Sequence, residues 1–538
     1  MESDAPRLFA PECYPHPVGR VELIETHISW VFLAGEFAYK VKKPVRLPFL
    51  DFSTLSARRA CCEEELRLNR RTAPDLYLGV LPVSGAADNL KVGGEGDAVE
   101  YALQMRRFDQ DALADRLARR GALGIERIDA LAAAIAGFHA NAPVAAEVSA
   151  FGSPAQIVAP ALENFEELGK FVTNPNQAAA LLRLRAWTSG ENARLTPIFE
   201  SRKRDGFVRE CHGDLHLGNI FFANGRPVLF DCIEFNAGLR WIDVMSEVAF
   251  LTMDLEEHGL ESQAWRFLNA YVETTGDYQG LRVFDYYLVY RALVRAKISL
   301  IRAQQAGAAE NFHATLDADY ERYVGLAERI IRPRRPSLVL MHGLAGSGKT
   351  TVAQALLECG GAVRVRSDVE RKRINGLTAR ARTHAAPYAG IYAPDTTRRT
   401  YDRLKLLVRD IIGSGHSAIV DAAFLWRSPR QEFCRLASDL KVPLVIVSCR
   451  ASRSELHRRV AQRESDMDDA SEAGVTVLAN QIMTEEPLAP EELAHTQIID
   501  TGVDKAALED SVRAIAARMA KPESALASNP ITGSSPVL

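Results

Sequence analysis

The run Gly343-Leu344-Ala345-Gly346-Ser347-Gly348-Lys349-Thr350 constrains this chain more than any other feature. It stands between an apolar stretch, Ser337 to Met341, that predicts a strand, and Thr351 to Glu358, which predicts a helix. Glycines at these spacings let the backbone wind tightly, so that several N–H groups and a helix N-terminus face one anion. Strand, glycine loop and helix in that order belong to a parallel α/β sheet. The stretches Ala362 to Arg366, Thr396 to Ile412, Ala418 to Val420 and Pro443 to Ser448 continue the alternation of strands and helices.

The loop is a phosphate cradle by its chemistry. Gly343, Gly346, Ser347, Gly348, Lys349, Thr350 and Thr351 form the candidate nucleotide-binding set, with Lys349 placed to neutralise β- and γ-phosphates. Thr350 is expected to ligate Mg²⁺ together with Asp421, which closes Ala418-Ile419-Val420-Asp421; a helix cap is the alternative for Asp421. Val363 to Asp368 ends a second strand, expected beside the loop strand, on a carboxylate able to accept a proton from an attacking hydroxyl. Arg459 and Arg463 lie one helical turn apart, where they can clamp a transferring phosphoryl group or simply make a solvated face. These pieces resemble the small P-loop kinases, including zeta-toxin-like and polynucleotide-5′-kinase relatives among the AAA-type ATPases, over Ser337 to Ala520. The resemblance implies Asp368 as general base and Arg459 and Arg463 as lid arginines. The acidic run after Arg463 (Glu464, Asp466, Asp468, Asp469) departs from that pattern and bears on the length and placement of the lid.

A second constellation precedes the first. Cys211-His212-Gly213-Asp214-Leu215-His216-Leu217-Gly218-Asn219 is followed by a two-strand pattern that delivers Asp231. Phosphoryl transfer needs a carboxylate near the acceptor hydroxyl, and an amide oxygen with another carboxylate for metal. Asp214 supplies the first, Asn219 and Asp231 the second. The His-Gly-Asp-x-His-x-x-x-Asn form resembles the aminoglycoside-phosphotransferase and choline-kinase superfamily, over roughly Val21 to Arg329. That resemblance implies a protein-kinase-like bilobal domain in which Lys40, in Ala38-Tyr39-Lys40, touches the α/β-phosphates and pairs with a carboxylate from the next helix. Glu65 is the first choice among Glu63, Glu64 and Glu65, with Lys42 and Glu64 as alternatives for the pair. It further implies that Glu100 to Phe108 is the hinge strand contacting adenine. No GxGxxG precedes Lys40, and Glu247 stands where a second Asp is usual, so Glu247 is expected to be structural. His139 and His216 read as core or hydrogen-bonding residues, and the acidic run Asp254-Leu255-Glu256-Glu257 as a solvated helix face, with attraction of a cationic acceptor as the alternative.

With 538 residues the chain is too long for one core, and the Arg332-Pro333-Arg334-Arg335-Pro336 stretch reads as a stiff, solvated connector. The expected organisation is a kinase-like α+β domain over residues 1–331, a linker at 332–336, a P-loop α/β domain over 337–521 and a disordered tail at 522–538. A net charge of −4 lacks the basic excess that non-specific nucleic-acid binding needs, although a local basic groove stays compatible with it. The eight cysteines show no CxxC spacing, and neither a signal peptide nor a membrane span is expected, which points to the cytoplasm. The reading is an ATP- and Mg²⁺-dependent phosphotransferase acting on small-molecule hydroxyls. Its alternatives are a regulatory ATP-binding protein with one module as nucleotide sensor, and a P-loop kinase acting on nucleic-acid ends or nucleotide-sugars.

Overall fold

Strand patterning and a tight turn build the first sheet. The computed structural model describes residues 6–519 apart from 27, 48–49, 87–88, 173, 306–309, 380, 384–388 and 466–473, with backbone alone at 303–305, 310–317 and 463–465. Packing divides the chain into unit 1, Met1–Gly259 with Tyr286–Ile330, and unit 2, Leu260–Asp285 with Ile331–Leu538.

In unit 1, Val21–Glu25 (β1), Ser29–Ala34 (β2) and Phe37–Lys42 (β3) form an antiparallel meander. Gly35, at φ 61°, makes the turn between β2 and β3. Helix Leu55–Asn69 (α1) starts on Thr54, whose hydroxyl accepts from the Ala57 N–H. Tyr77–Ser84 (β4), Lys91–Val92 (β5) and Ala98–Arg106 (β6) complete a six-stranded sheet in the order β1-β2-β3-β6-β4-β5. Trp30, Phe32, Tyr39, Val41, Val83 and Ala102 fill the core on one face of it. Helices then dominate, among them Ile125–Asn141, Pro175–Arg204 and Val244–Glu257 (α2). They are interrupted by a hairpin, Ile220–Ala223 with Arg226–Leu229, that turns through Asn224 and Gly225, both at positive φ.

Unit 2 begins with helix Glu261–Thr275 (α3) and continues through Leu338–His342 (β7), Lys349–Gly360 (α4), Ala362–Arg366 (β8), Ser367–Arg373 (α5) and Pro394–Gly413 (α6). Ser417–Asp421 (β9), Leu444–Arg450 (β10), Arg453–Ser465 (α7), Val475–Thr484 (α8), Thr496–Asp500 (β11) and Lys505–Met519 (α9) follow. The five strands are all parallel, in the order β8-β9-β7-β10-β11. Apolar side chains of α4 and α9 close over β7 and β10 through Val352, Leu356, Val512 and Ile515. Among the described residues no helix is long and apolar enough to cross a membrane.

Two expectations change. β8 is not beside the loop strand, because β9 lies between them, so Asp368 approaches the loop from two strands away. Leu260–Asp285, expected in the first domain, packs in unit 2 because α3 covers the edge strand β8. The connector is also less free than its composition suggests, since Arg334 donates to His416 Nε2 at 2.8 Å and pairs with Asp285 at 3.1 Å. The expected tail, 522–538, lies outside the described residues.

Candidate functional site

Unit 1 gathers its chemistry around Lys40. On β3, Lys40 and Lys42 are two residues apart and so share a face of the strand. Lys40 Nζ lies 2.8 Å from Glu65 Oε1 and 2.5 Å from Asp231 Oδ1. Burial alone would strip Lys40 of its proton, but Asp231, Glu65 and Glu234 more than reverse that and hold the ammonium. Lys42 Nζ takes the other oxygen of Glu65 at 2.5 Å and also pairs with Glu234. Glu65 therefore bridges both lysines, whereas Glu64 pairs with Arg67 and Arg240. Of the alternatives weighed from sequence, Lys40 with Glu65 is the pair that also reaches Asp231.

The loop after Glu210 positions Asp214. Asn219 Nδ2 donates to the Asp214 carbonyl at 2.9 Å and to Asp214 Oδ2 at 3.2 Å, so the amide nitrogen is spent within the loop. Burial would raise the Asp214 carboxyl, but His216, Arg295 and His212 hold it well below the ordinary carboxylate range. Asp231 has φ 63°, a backbone conformation costly for a residue other than glycine, and its N–H donates to Tyr77 Oη at 3.0 Å. His216 Nε2 stands 3.4 Å from Asp214 Oδ2, and its Nδ1 accepts from Gly218 N–H at 3.1 Å, a local bonding role.

Two acidic residues of α2 do more than the sequence disclosed. Glu247, fully buried, accepts from the Gly213 N–H at 2.6 Å, the His212 N–H at 3.1 Å and His139 Nε2 at 2.9 Å. Burial works to raise it, yet those partners bring it down to about 2. Asp254 is not on a solvated face: it is 2% exposed and its Oδ2 accepts from the Leu217 N–H at 2.8 Å. Together they pin both ends of the Asp214 loop. The signal for them in the sequence is only an acidic residue at helical spacing behind a glycine loop.

Unit 2 builds its site at the carboxyl ends of β7, β8 and β9. Gly343 (φ 138°) and Gly346 (φ 78°) allow the loop its path, and a Cβ on them would meet Cys449 O at 2.5 Å and Leu456 O at 2.9 Å. Lys349 Nζ donates to Leu344 O at 2.8 Å. A cavity of about 840 Å³ is lined by Gly346, Gly348, Lys349, Thr350 and Thr351 of the loop and by Asp368, Asp421 and Arg459. Gly343 and Ser347 shape the loop from behind that surface; Ser347 Oγ is buried with no hydrogen-bond partner, as is Asp421 Oδ2. The orphaned Asp421 oxygen, on a residue that lines the same cavity as Thr350, suits a cation. Arg459 pairs with Glu455 at 2.6 Å and donates to Gly346 O at 3.4 Å and to Thr501 O at 2.7 Å, tying α7 to the loop. The Arg463 side chain lies outside the described residues.

Family models match two stretches of the chain, one carrying Asp214, Asn219 and Asp231 but not Lys40 or Glu65, the other carrying the glycine loop, Asp368, Asp421 and Arg459. Residues 86–284 match the model described as "Phosphotransferase enzyme family" and residues 338–488 the one described as "AAA domain". Two uncharacterized proteins, one of Mycobacterium tuberculosis and one of Mycobacterium bovis, are each 31% identical over 474 residues, covering 87% of this chain and 92% of the relative. Among solved structures, a choline/ethanolamine kinase family protein from Mesorhizobium loti has TM-score 0.36 at 14% identity, covering 58% of this chain and 88% of its own. A gluconokinase from Sinorhizobium meliloti has TM-score 0.25 at 22% identity, covering 35% and 95%. The chain belongs to the same family as the mycobacterial proteins and joins a phosphotransferase-family domain to a P-loop AAA domain.

Proposed function

We propose that both units bind Mg²⁺-ATP and transfer its γ-phosphoryl group to hydroxyls of small molecules. One observation carries this reading: each unit joins a lysine to two carboxylates of different surroundings, Lys40 with Asp231 and Asp214, and Lys349 with Asp421 and Asp368 around one cavity. A transferase needs that set, because one carboxylate must face metal while the other orients the acceptor hydroxyl. In unit 1, Lys40 would meet the α/β-phosphates, steadied by Glu65, while Asp214 accepts the hydroxyl proton. Asp214 is ionised at neutral pH and would act chiefly by orienting the hydroxyl, since the depression of its pKa, against burial, by His216, Arg295 and His212 makes it a weak base until the acceptor and metal change its surroundings. In unit 2, the loop N–H groups and Lys349 would hold the β- and γ-phosphates, and Asp368 would orient the acceptor. Arg459 would steady the loop. Magnesium would be held by Asn219 and Asp231 in unit 1 and by Thr350 and Asp421 in unit 2, and would neutralise phosphate charge there.

The test is ADP release by the full chain over pools of hydroxylated metabolites, with Asp214→Asn and Asp368→Asn compared singly. Each substitution should lower transfer to one set of acceptors by about 100-fold or more and spare the other set. If no pool raises ADP release above the basal rate, the transferase reading falls and a nucleotide-sensing role takes its place.

A further inference from the structure

Helix α3 belongs to unit 2 by packing, although the phosphotransferase match runs through residue 284 and the AAA match starts only at 338. It lies along β8, the edge strand of the parallel sheet. Asn269 Nδ2 donates to Ala362 O at 3.0 Å and Asn269 Oδ1 accepts from the Arg364 N–H at 2.8 Å. One side chain thus occupies backbone groups that a bare edge would leave open. Tyr278 Oη donates to Arg364 O at 3.4 Å.

The same helix then supplies a charge. Glu273 Oε2 lies 3.3 Å from an Arg364 amino nitrogen, and Glu273 Oε1 lies 3.4 Å from one of Arg366. Arg366 lines the cavity, and its Nε stands 3.8 Å from Asp421 Oδ2, the buried oxygen without a hydrogen-bond partner. A guanidinium beside a buried carboxylate oxygen frequently closes to a short, two-pronged contact. Here the gap stays open while Glu273 holds the guanidinium from its other end.

We propose that Glu273 is a positioning residue of the P-loop site: it keeps Arg366 from closing on Asp421, and so leaves that carboxylate available to the cation that accompanies the nucleotide. The inference rests on the assignment of Asp421 as metal ligand made above. Without the Glu273 charge, Arg366 swings onto Asp421 and competes with the metal. The helix that holds this residue comes from chain outside the AAA match, so the P-loop site draws on sequence that the match does not contain.

The experiment measures binding of a non-hydrolysable ATP analogue by calorimetry across a magnesium titration. It uses the full chain in an Asp231→Asn background, so that unit 2 dominates the metal dependence. Glu273→Gln should raise the half-saturating magnesium by about tenfold while leaving analogue affinity in EDTA unchanged. Adding Arg366→Gln to Glu273→Gln should restore the magnesium requirement, which a merely structural role of Glu273 would not predict. Should Glu273→Gln fold poorly, Glu273→Asp, with a shorter carboxylate, should give a smaller shift in the same direction. The inference is overturned if neither Glu273 variant moves the magnesium midpoint, or if the double variant fails to restore it. If Asp421→Asn itself leaves the midpoint unmoved, the metal assignment is what fails, and the role of Glu273 goes with it.

Discussion

Lys40 and Asp231 are 191 positions apart in the chain, yet Lys40 Nζ and Asp231 Oδ1 stand 2.5 Å apart. The pair ties β3 to the segment after the hairpin, where Asp231 holds a left-handed backbone that few side chains tolerate. Asn69 supports the same segment, its Oδ1 accepting from the Cys232 N–H at 2.9 Å. The ion pair and these backbone bonds fix where the Asp231 carboxylate sits relative to the Lys40 ammonium.

Lys40→Met is expected to leave the carboxylates of Glu65 and Asp231 short of a cation. Breaking a buried pair costs about 3 to 5 kcal/mol, and the solvent reaching Asp231 reduces that to about 2 to 3 kcal/mol here. Urea unfolding should show the loss, and phosphoryl transfer by unit 1 should fall by about two orders of magnitude. Unit 1 transfer that survives Lys40→Met unchanged would remove Lys40 from the nucleotide site.

The P-loop, the Asp214 loop and the Lys40 strand were legible because each is a local pattern whose chemistry is written in adjacent residues. What resisted reading was long-range. β4 contains Gly79 and Pro82, which argue against a strand in isolation, yet it pairs with β6 along its length, with register shifts at each end. The strand order that separates β8 from β7 depends on which helix covers which face, a tertiary choice without a local signature. Leu260–Asp285 shows the same limit. The proline-rich stretch at 332–336 marks one crossing of the chain, but nothing near Asn269 announces that its amide will bond a strand edge 93 positions away. From the sequence Glu247 is expected only to be structural, whereas its grip on the Gly213 and His212 N–H groups required the fold.

His416 gives unit 2 a pH dependence. It is 1% exposed, its Nε2 accepts from Arg334, and its Nδ1 faces Ser414 Oγ at 3.0 Å. Burial first, and then the Arg334 charge, bring its pKa down from 6.5 to about 4 against the opposing pull of Asp285. A histidine with a depressed folded pKa favours the fold while neutral, so its contribution is complete above pH 6.5 and is lost as pH falls from 6.5 to about 4. The loss amounts to about 3 kcal/mol. His342 is also brought down to about 4, mainly by burial, so His416→Gln should flatten about half of the acid limb in a denaturation series from pH 7 to pH 4. A slope identical to that of the parent protein would show that His416 is not the group being titrated.

The edge strand gives a prediction about where the P-loop unit can be cut. A fragment beginning at residue 332 follows the proline-rich boundary but omits α3, leaving the Ala362 carbonyl and Arg364 N–H without Asn269 and removing Trp265 from the core cluster of unit 2. Each buried backbone group deprived of its partner costs about 1 to 3 kcal/mol, and an uncovered edge strand recruits other chains. Residues 332–519 alone are therefore expected to aggregate, while Leu260–Asp285 joined by a short flexible link to residues 331–519, without the 286–330 helices that pack in unit 1, remains soluble and melts cooperatively. In the full chain, Asn269→Ala should lower the stability of unit 2 by about 2 to 4 kcal/mol without touching the cavity, and Asn269→Asp should be worse, because it would bury a carboxylate against the Ala362 carbonyl oxygen. Differential scanning calorimetry of the full chain resolves this, provided that the transition sensitive to Lys349 substitution is followed. If the fragment from 332 proves as stable as the linked fragment that carries Leu260–Asp285, then α3 only rests on the edge strand, and the unit is complete without it.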